Sequence, residues 1–83
     1  MAVDIFPREL TRDIPYITMI GDSELHIEHH HGMIRYQTEE VSFDTGCGII
    51  TITGCDLIVT RYTASEAGLQ GQIDAVIIKE NGR

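Results

Sequence analysis

The chain has 83 residues, of which 42% are hydrophobic and 23% charged, and its 13 acidic against 6 basic residues give a net charge of −7. A chain of this length forms one small domain with a thin core. The charge argues against nucleic acid and anionic lipid as partners, because phosphate contacts need clustered Lys and Arg and the basic residues here are scattered singly. With no apolar run near ~18 residues and no secretory signal, we expect a cytoplasmic protein without a transmembrane segment.

Three regions follow in chain order. Residues 1–13 are predicted to form a peripheral N-terminal segment, in which Pro7 suits the first turn of a short helix. Pro15 ends any such helix, since the residue before a proline is pushed out of the helical region. An all-β domain is predicted over residues 14–78, and residues 79–83 form a polar tail.

About seven short strands are predicted in the central region, because apolar-alternating runs are interrupted by glycine or polar turns every eight or nine residues. They cover residues 16–20, 24–29, 33–37, 39–43, 49–53, 57–62 and 68–78. Tight turns are expected at residues 30–32 and 54–56, each of which contains a glycine. The pattern favours an antiparallel sandwich or flattened barrel. A short β-solenoid is the alternative, although no strict repeat is present.

Several strands carry apolar residues on both faces. The last strand, or pair of strands, has one apolar face of Leu69, Ile73, Ala75 and Ile77. The second apolar face is then formed by Ile58, Tyr62, Val76 and Ile78. These four residues indicate either that some strands are buried on both sides or that the domain presents an apolar surface to a partner, and they are the predicted interaction face.

A histidine cluster is the most obvious candidate for chemistry. His26, His29 and His31 are candidate ligands for Zn²⁺ or Ni²⁺, and Glu28 or a cysteine could add another. Residues 29 and 31 share a strand face only if the strand continues through 31, and the turn is expected to begin before that. The alternative is an exposed polar hairpin tip that is rich in histidine. No metal and no cofactor are predicted.

A second candidate is Asp44-Thr45-Gly46, preceded by Phe43, because this motif is typical of dimeric aspartyl proteases. Their mechanism needs two carboxylates that share one proton across a two-fold axis. Only 39 residues follow Asp44, too few for the flap and the remaining elements of such an enzyme. The alternative is a hairpin loop in which Asp44 caps the turn.

The remaining residues offer little chemistry. Cys47 and Cys55 are expected to be reduced, semi-buried thiols, with a disulfide across a hairpin as the alternative. There is no phosphate-binding loop and no nucleophile elbow. We therefore predict that the protein is not an enzyme and has no catalytic residues.

The order and spacing of short motifs along nearly the whole chain are more specific than any one of them. They are Pro7, Leu10, Asp13, Pro15, Ile17, Thr18, Ile20 and Gly21, then Leu25, Ile27, Glu28, His30, Gly32 and Tyr36, then Gly48, Ile52, Gly54, Leu57, Gly71 and Ile73. This pattern resembles the YabP/YqfC family of sporulation proteins, most of all its YqfC branch. The family usually has Asn and Arg where this chain has His29 and His31, so these histidines look like a local variation.

The resemblance implies a product of the mother cell of an endospore-forming bacterium, with a part in spore coat or cortex morphogenesis. It supplies no catalytic residues or cofactor. We therefore expect a protein that acts by protein–protein contact, through an edge strand or an apolar sheet face, as a homo-oligomer or with another sporulation protein. Its expected location is the cytoplasm of the mother cell, including the surface of the forespore.

Overall fold

The computed structural model describes residues 14–80, which form six strands. These are β1 (Tyr16–Ile20), β2 (Glu24–Glu28), β3 (His30–Gln37), β4 (Glu40–Thr45), β5 (Gly48–Tyr62) and β6 (Glu66–Lys79). Over the same residues, nothing helical has the length and hydropathy that crossing a membrane requires. The predicted peripheral segment 1–13 and residues 81–83 of the predicted tail lie outside the described residues, so the domain boundaries stay predictions.

The predicted all-β class is confirmed. The six strands form one antiparallel sheet in the order β1-β2-β6-β5-β4-β3. The strand count is six rather than seven, because the predicted strands 49–53 and 57–62 are two parts of the single strand β5. A β-solenoid, whose coils stack strands in parallel, does not describe this sheet.

The two longest strands carry a bend. β5 and β6 have 15 and 14 residues and pair along their length, with register shifts at Thr53/Gly54, Cys55/Ile58 and Val59/Arg61. The predicted turn at residues 54–56 is therefore wrong, since the chain continues through a bulged strand. Asp56 takes the left-handed conformation there, with φ of 55°. Bulges of this kind increase local twist and bend a strand.

Two glycines permit this bend. A β-carbon on Gly54 would overlap the carbonyl oxygen of Gln72, and one on Gly71 would lie 2.5 Å from the carbonyl oxygen of Asp56. Gly71 also has φ of 139°, which other residues rarely adopt. The strands thus approach more closely here than any side chain allows.

The bend divides the sheet into two half-sheets whose inner faces pack together. The first contains β1, β2 and the ends of β5 and β6 nearest their connection, and the second contains β3, β4 and the opposite ends of β5 and β6. Alternation decides which side chains face inward: in β2, Leu25 and Ile27 are buried between more exposed neighbours. Both half-sheets contribute to one core of Leu25, Ile27, Val41, Phe43, Ile50, Ile52, Leu57, Ala67, Leu69 and Ile73.

The corner between β2 and β3 differs from its prediction. The expected turn at residues 30–32 is wrong, because β3 already begins at His30 and the chain turns at His29, with φ of 68°. The backbone N–H groups of His29 and His30 donate to the carbonyl oxygen of Ser65 at 2.6 and 3.2 Å. These bonds fix the start of β3 beside the connection between β5 and β6.

Candidate interaction edge

The four histidines point in different directions. His26 lies on the outer face of β2, opposite the buried Leu25 and Ile27. His29 occupies the corner, with its ring edge-on to Tyr16 at 5.5 Å. His30 is buried and His31 exposed. Within residues 14–80 there is no group of three or more His, Cys, Asp or Glu side chains that could hold a metal ion. The geometry gives the metal-site hypothesis no support.

His30 belongs to the core. It is 3% exposed and stacks on Tyr62, with ring centroids 5.2 Å apart and an interplanar angle of 19°. Its ring also contacts Phe43 at a centroid distance of 5.3 Å. Neither ring nitrogen has a hydrogen-bond partner in the described part of the chain. The side chain therefore acts as a packed aromatic ring between β3, β4 and β5.

The Asp44-Thr45-Gly46 motif ends a strand and begins a hairpin turn. Asp44 is half-buried within β4, paired with Gly32 and Ile49, whereas Thr45 is buried on the other face. The Thr45 hydroxyl accepts from the N–H of Cys47 at 3.1 Å and donates to the carbonyl oxygen of Gly48 at 2.6 Å. The residue that caps this turn is thus Thr45 and not Asp44.

Both cysteines are free. Cys47 is half-buried in the β4–β5 turn and Cys55 is exposed in the bulged part of β5.

A shallow pocket of about 350 Å³ lies between the β1–β2 turn and β6, and is lined by Ser23, Glu24, Gln70 and Gly71. These groups form no nucleophile–base pair, so the pocket has no evident catalytic role.

One side of the bent sheet is closed. We call this contact, between residues 30–38 and residues 57–62 of β5, the closed seam. At its start the N–H of Leu57 donates to the carbonyl oxygen of Thr38 at 2.8 Å. Farther along, two tyrosine hydroxyls accept bonds from the opposite strand: Tyr36 from the N–H of Val59 at 3.2 Å, and Tyr62 from the N–H of Met33 at 3.1 Å.

The two tyrosine hydroxyls take the place of the carbonyl acceptors that a neighbouring strand would supply. An unpaired backbone N–H at a sheet edge is a ready site for another chain. Since Tyr36 and Tyr62 occupy the edge N–H groups of Val59 and Met33, and His30 packs beneath Tyr62, the closed seam is a poor template for pairing.

The other side of the sheet is open. β2 pairs only with residues 66–70 of β6, and the β1–β2 turn contacts Gly71 and Ile73. Beyond that point, residues 74–79 of β6 pair with β5 on one side and, among the described residues, have no strand on the other side. We call these residues the open edge. Their sequence is Asp-Ala-Val-Ile-Ile-Lys, with an uncharged run of four residues between one acid and one base.

The register identifies the backbone groups that point outward. The N–H of Ile73 points away from β5 and donates to the carbonyl oxygen of Asp22. Gly54, which faces Ile73 on β5, has an N–H that points away from β6 and donates to the carbonyl oxygen of Glu39. Facing residues of antiparallel strands alternate between bonded and non-bonded pairs. Ile73 and Gly54 therefore form a non-bonded pair. After the register shift that follows Ile73, Val76–Ile52 and Ile78–Ile50 are the non-bonded pairs, so the outward backbone groups of the open edge belong to Val76 and Ile78.

The four predicted interaction residues fall into two places. Ile58 and Tyr62 lie on β5 at the closed seam. There the Tyr62 hydroxyl accepts from the N–H of Met33, and the Tyr62 ring stacks on His30. Val76 and Ile78 lie on the open edge, Ile78 with 59% of its surface exposed and Val76 partly buried against the core. Their role in binding stays a prediction, and the geometry favours the second pair.

Ile77 does not share a face with Ile73, although the alternation in the sequence groups the two. Its cross-strand partner is Thr51, whereas Val76 is paired with the buried Ile52 and shares its inner face. Ile77 is consequently 48% exposed on the outer face. The extra residue at Asp74 reverses the alternation after Ile73, and a one-residue shift moves every later side chain to the opposite face. The sequence contains no separate signal for this shift.

The sequence matches known proteins over most of its length. The model of the YabP family matches residues 12–83. The chain is also similar to the uncharacterized protein YqfC of Bacillus subtilis (strain 168), with 31% identity over 70 residues that cover 84% of this chain and 75% of that protein.

Proposed function

Because the chain belongs to the YabP family, we propose that it is a non-catalytic protein that acts by protein–protein contact in spore coat or cortex morphogenesis. Membership in this family makes it a sporulation-related protein. The protein acts in the cytoplasm of the mother cell, including the surface of the forespore.

The open edge is the observation that supports this proposal. It combines outward backbone groups at Val76 and Ile78 with exposed side chains at Ile77 and Ile78. An extended segment of a partner adds to such an edge as a further strand, with backbone hydrogen bonds for affinity and side chains for specificity. The closed seam offers neither, because its edge N–H groups are occupied.

The arrangement of polar side chains favours binding over catalysis. Asp44 lies within a strand ladder, His30 is buried as a ring in the core, and the other histidines are dispersed. No observation on the described residues favours the aspartyl hydrolase or the metal-binding protein as an alternative.

A complementation experiment tests the proposal. In a spore-forming host that lacks its own copy of the gene, Ile78→Lys is expected to lower the count of resistant spores, because a charged side chain on the edge opposes strand pairing. Ile34→Lys is the matched control, since Ile34 is 55% exposed on β3 at the closed seam. Normal counts with Ile78→Lys, at equal protein abundance, would contradict the proposal.

The catalytic alternative has its own arm in the same host. Asp44→Asn removes the only carboxylate that the protease-like motif supplies and preserves the shape of the side chain. We expect unchanged spore counts. Loss of spores with Asp44→Asn, from a variant that is folded and abundant, would favour the hydrolase.

A further inference from the structure

We propose that the open edge pairs with the open edge of a second copy of this chain, antiparallel and about a two-fold axis at Ile77. This inference rests on the proposed function, and it names the partner and the register of the contact. The two copies of β6 would then join their sheets into one.

The backbone selects this register. Val76 and Ile78 are the residues with outward N–H and C=O groups, and Ile77 between them bonds to β5. With the axis at Ile77, Val76 of each copy faces Ile78 of the other, and every outward group of these residues finds a partner. Each such pair exchanges two hydrogen bonds, so the contact forms four. An axis at Val76 would place Ile78 opposite Asp74, the extra residue at the register shift, and an axis at Ile78 would place Val76 opposite Glu80, beyond the end of β6.

The exposed apolar side chains fit the same register. Ile77 would pack against its own copy on the outer face, and Ile78 would pack against Val76 of the other copy on the inner face. Ile77 and Ile78 are 48% and 59% exposed in the single chain. Side chains of directly opposed residues in antiparallel strands contact one another, so this register removes apolar surface of both copies from water.

Charge favours the antiparallel direction. A protein with a net charge of −7 repels its own copy, so contact is least opposed where the local surface is uncharged, as at residues 75–78. Antiparallel pairing places Lys79 opposite Ala75 of the second copy, beside its Asp74, at both ends of the contact. Parallel pairing would instead place Lys79 near Lys79. Because the overall repulsion is screened by salt, association is expected to strengthen as ionic strength rises.

Disulfide cross-linking tests the register. In a full chain with Cys47→Ser and Cys55→Ser, Ile77→Cys is expected to give a covalent dimer on mild oxidation, because Cα atoms of such a non-bonded pair lie about 4.5 Å apart. Thr51→Cys in the same background is the control, since two copies of β5 would be about 14 Å apart, three strand spacings. A monomer with Ile77→Cys, or equal cross-linking of both, would overturn the proposal.

A proline variant tests the same contact without cysteine. Ile78→Pro removes an outward N–H and leaves the bonds of β6 to β5 in place, which is where edge strands tolerate proline. By light scattering, the unmodified protein should have twice the 9.3 kDa mass of one chain, and Ile78→Pro the mass of one. A dimer that survives Ile78→Pro would overturn the proposal, as would an unmodified protein that is monomeric at all concentrations.

Failure of this inference and failure of the proposed function give different results. If the unmodified protein is a monomer but Ile78→Pro still lowers spore counts, a different protein occupies the edge and only the second copy is excluded. If Ile78→Pro leaves spore counts normal, the edge has no role in sporulation and the proposed function is contradicted as well.

Discussion

The closed seam and the open edge end the same sheet in different ways. At the closed seam, Tyr36 and Tyr62 supply hydroxyl acceptors to the edge N–H groups of the opposite strand. At the open edge, β6 extends past the β1–β2 turn, and residues 74–79 have no second strand among the described residues. Within the described residues, tyrosine hydroxyls thus accept from N–H groups at the closed seam, whereas no side chain does so along the open edge.

The bend creates both regions, and its loss should have the largest effect. Gly54→Ala and Gly71→Ala each place a β-carbon against backbone of the facing strand, so we expect a loss of at least about 3 kcal/mol of unfolding free energy, or no folded protein. Chemical denaturation followed by circular dichroism measures this.

Gly32→Ala is the control for the bend variants. Gly32 also has a positive φ, of 145°, but a β-carbon there has open space around it. Only backbone strain remains, and the expected loss is about 1–2 kcal/mol. Equal losses at Gly32 and Gly54 would contradict the role given to close strand approach.

The closed seam should be sensitive to two hydroxyl groups. Tyr62→Phe and Tyr36→Phe keep the rings but leave the N–H groups of Met33 and Val59 without their acceptors, and each is expected to lower the unfolding free energy by about 1 kcal/mol. Tyr16→Phe is the control, because the Tyr16 hydroxyl makes no hydrogen bond with the described residues. Equal stability of all three variants would mean that the hydroxyls do not close the seam.

Replacing the buried imidazole beneath Tyr62 tests whether His30 contributes to the closed seam only as a packed ring. His30→Phe keeps a ring between Phe43 and Tyr62 and removes two nitrogens that have no partner among the described residues. We expect unchanged stability or a gain of up to about 1 kcal/mol, because replacing an unsatisfied buried polar group by an apolar one of similar shape is neutral or favourable. A thermal melt decides it, and a loss above that size would indicate that the nitrogens have an essential partner.

The smallest effect on stability is expected at the open edge. Ile78→Lys changes an exposed side chain outside the core, so the unfolding free energy of the isolated chain should change by no more than about 0.5 kcal/mol. Denaturation at low protein concentration measures it. A large loss would show that the edge is part of the fold and not a surface left for a partner.

Alternation of apolar residues predicted the fold class well because it is a local property. Leu25 and Ile27 show it clearly, and the all-β class follows from many such runs. The bend could not be predicted in the same way. Gly54 followed by Asp56 is equally compatible with a hairpin turn and with a bulge, and the choice depends on contact with Gln72, far along the chain.

The candidate site was predicted only in part for a related reason. Val76 and Ile78 were selected as apolar residues of a second face, and they do lie on the open edge. The exposure of Ile77 depends on one extra residue at Asp74, which reverses the faces. The contribution of Tyr36 depends on a bond to Val59, 23 positions away, which no local pattern indicates.

Amide hydrogen exchange measured by NMR at several protein concentrations tests the difference between the two regions most directly. The N–H groups of Met33 and Val59 should exchange slowly at every concentration. Those of Val76 and Ile78 should exchange rapidly in dilute protein and slowly in concentrated protein, as copies pair. Slow exchange of Val76 and Ile78 in dilute protein, or rapid exchange at all concentrations, would contradict the account.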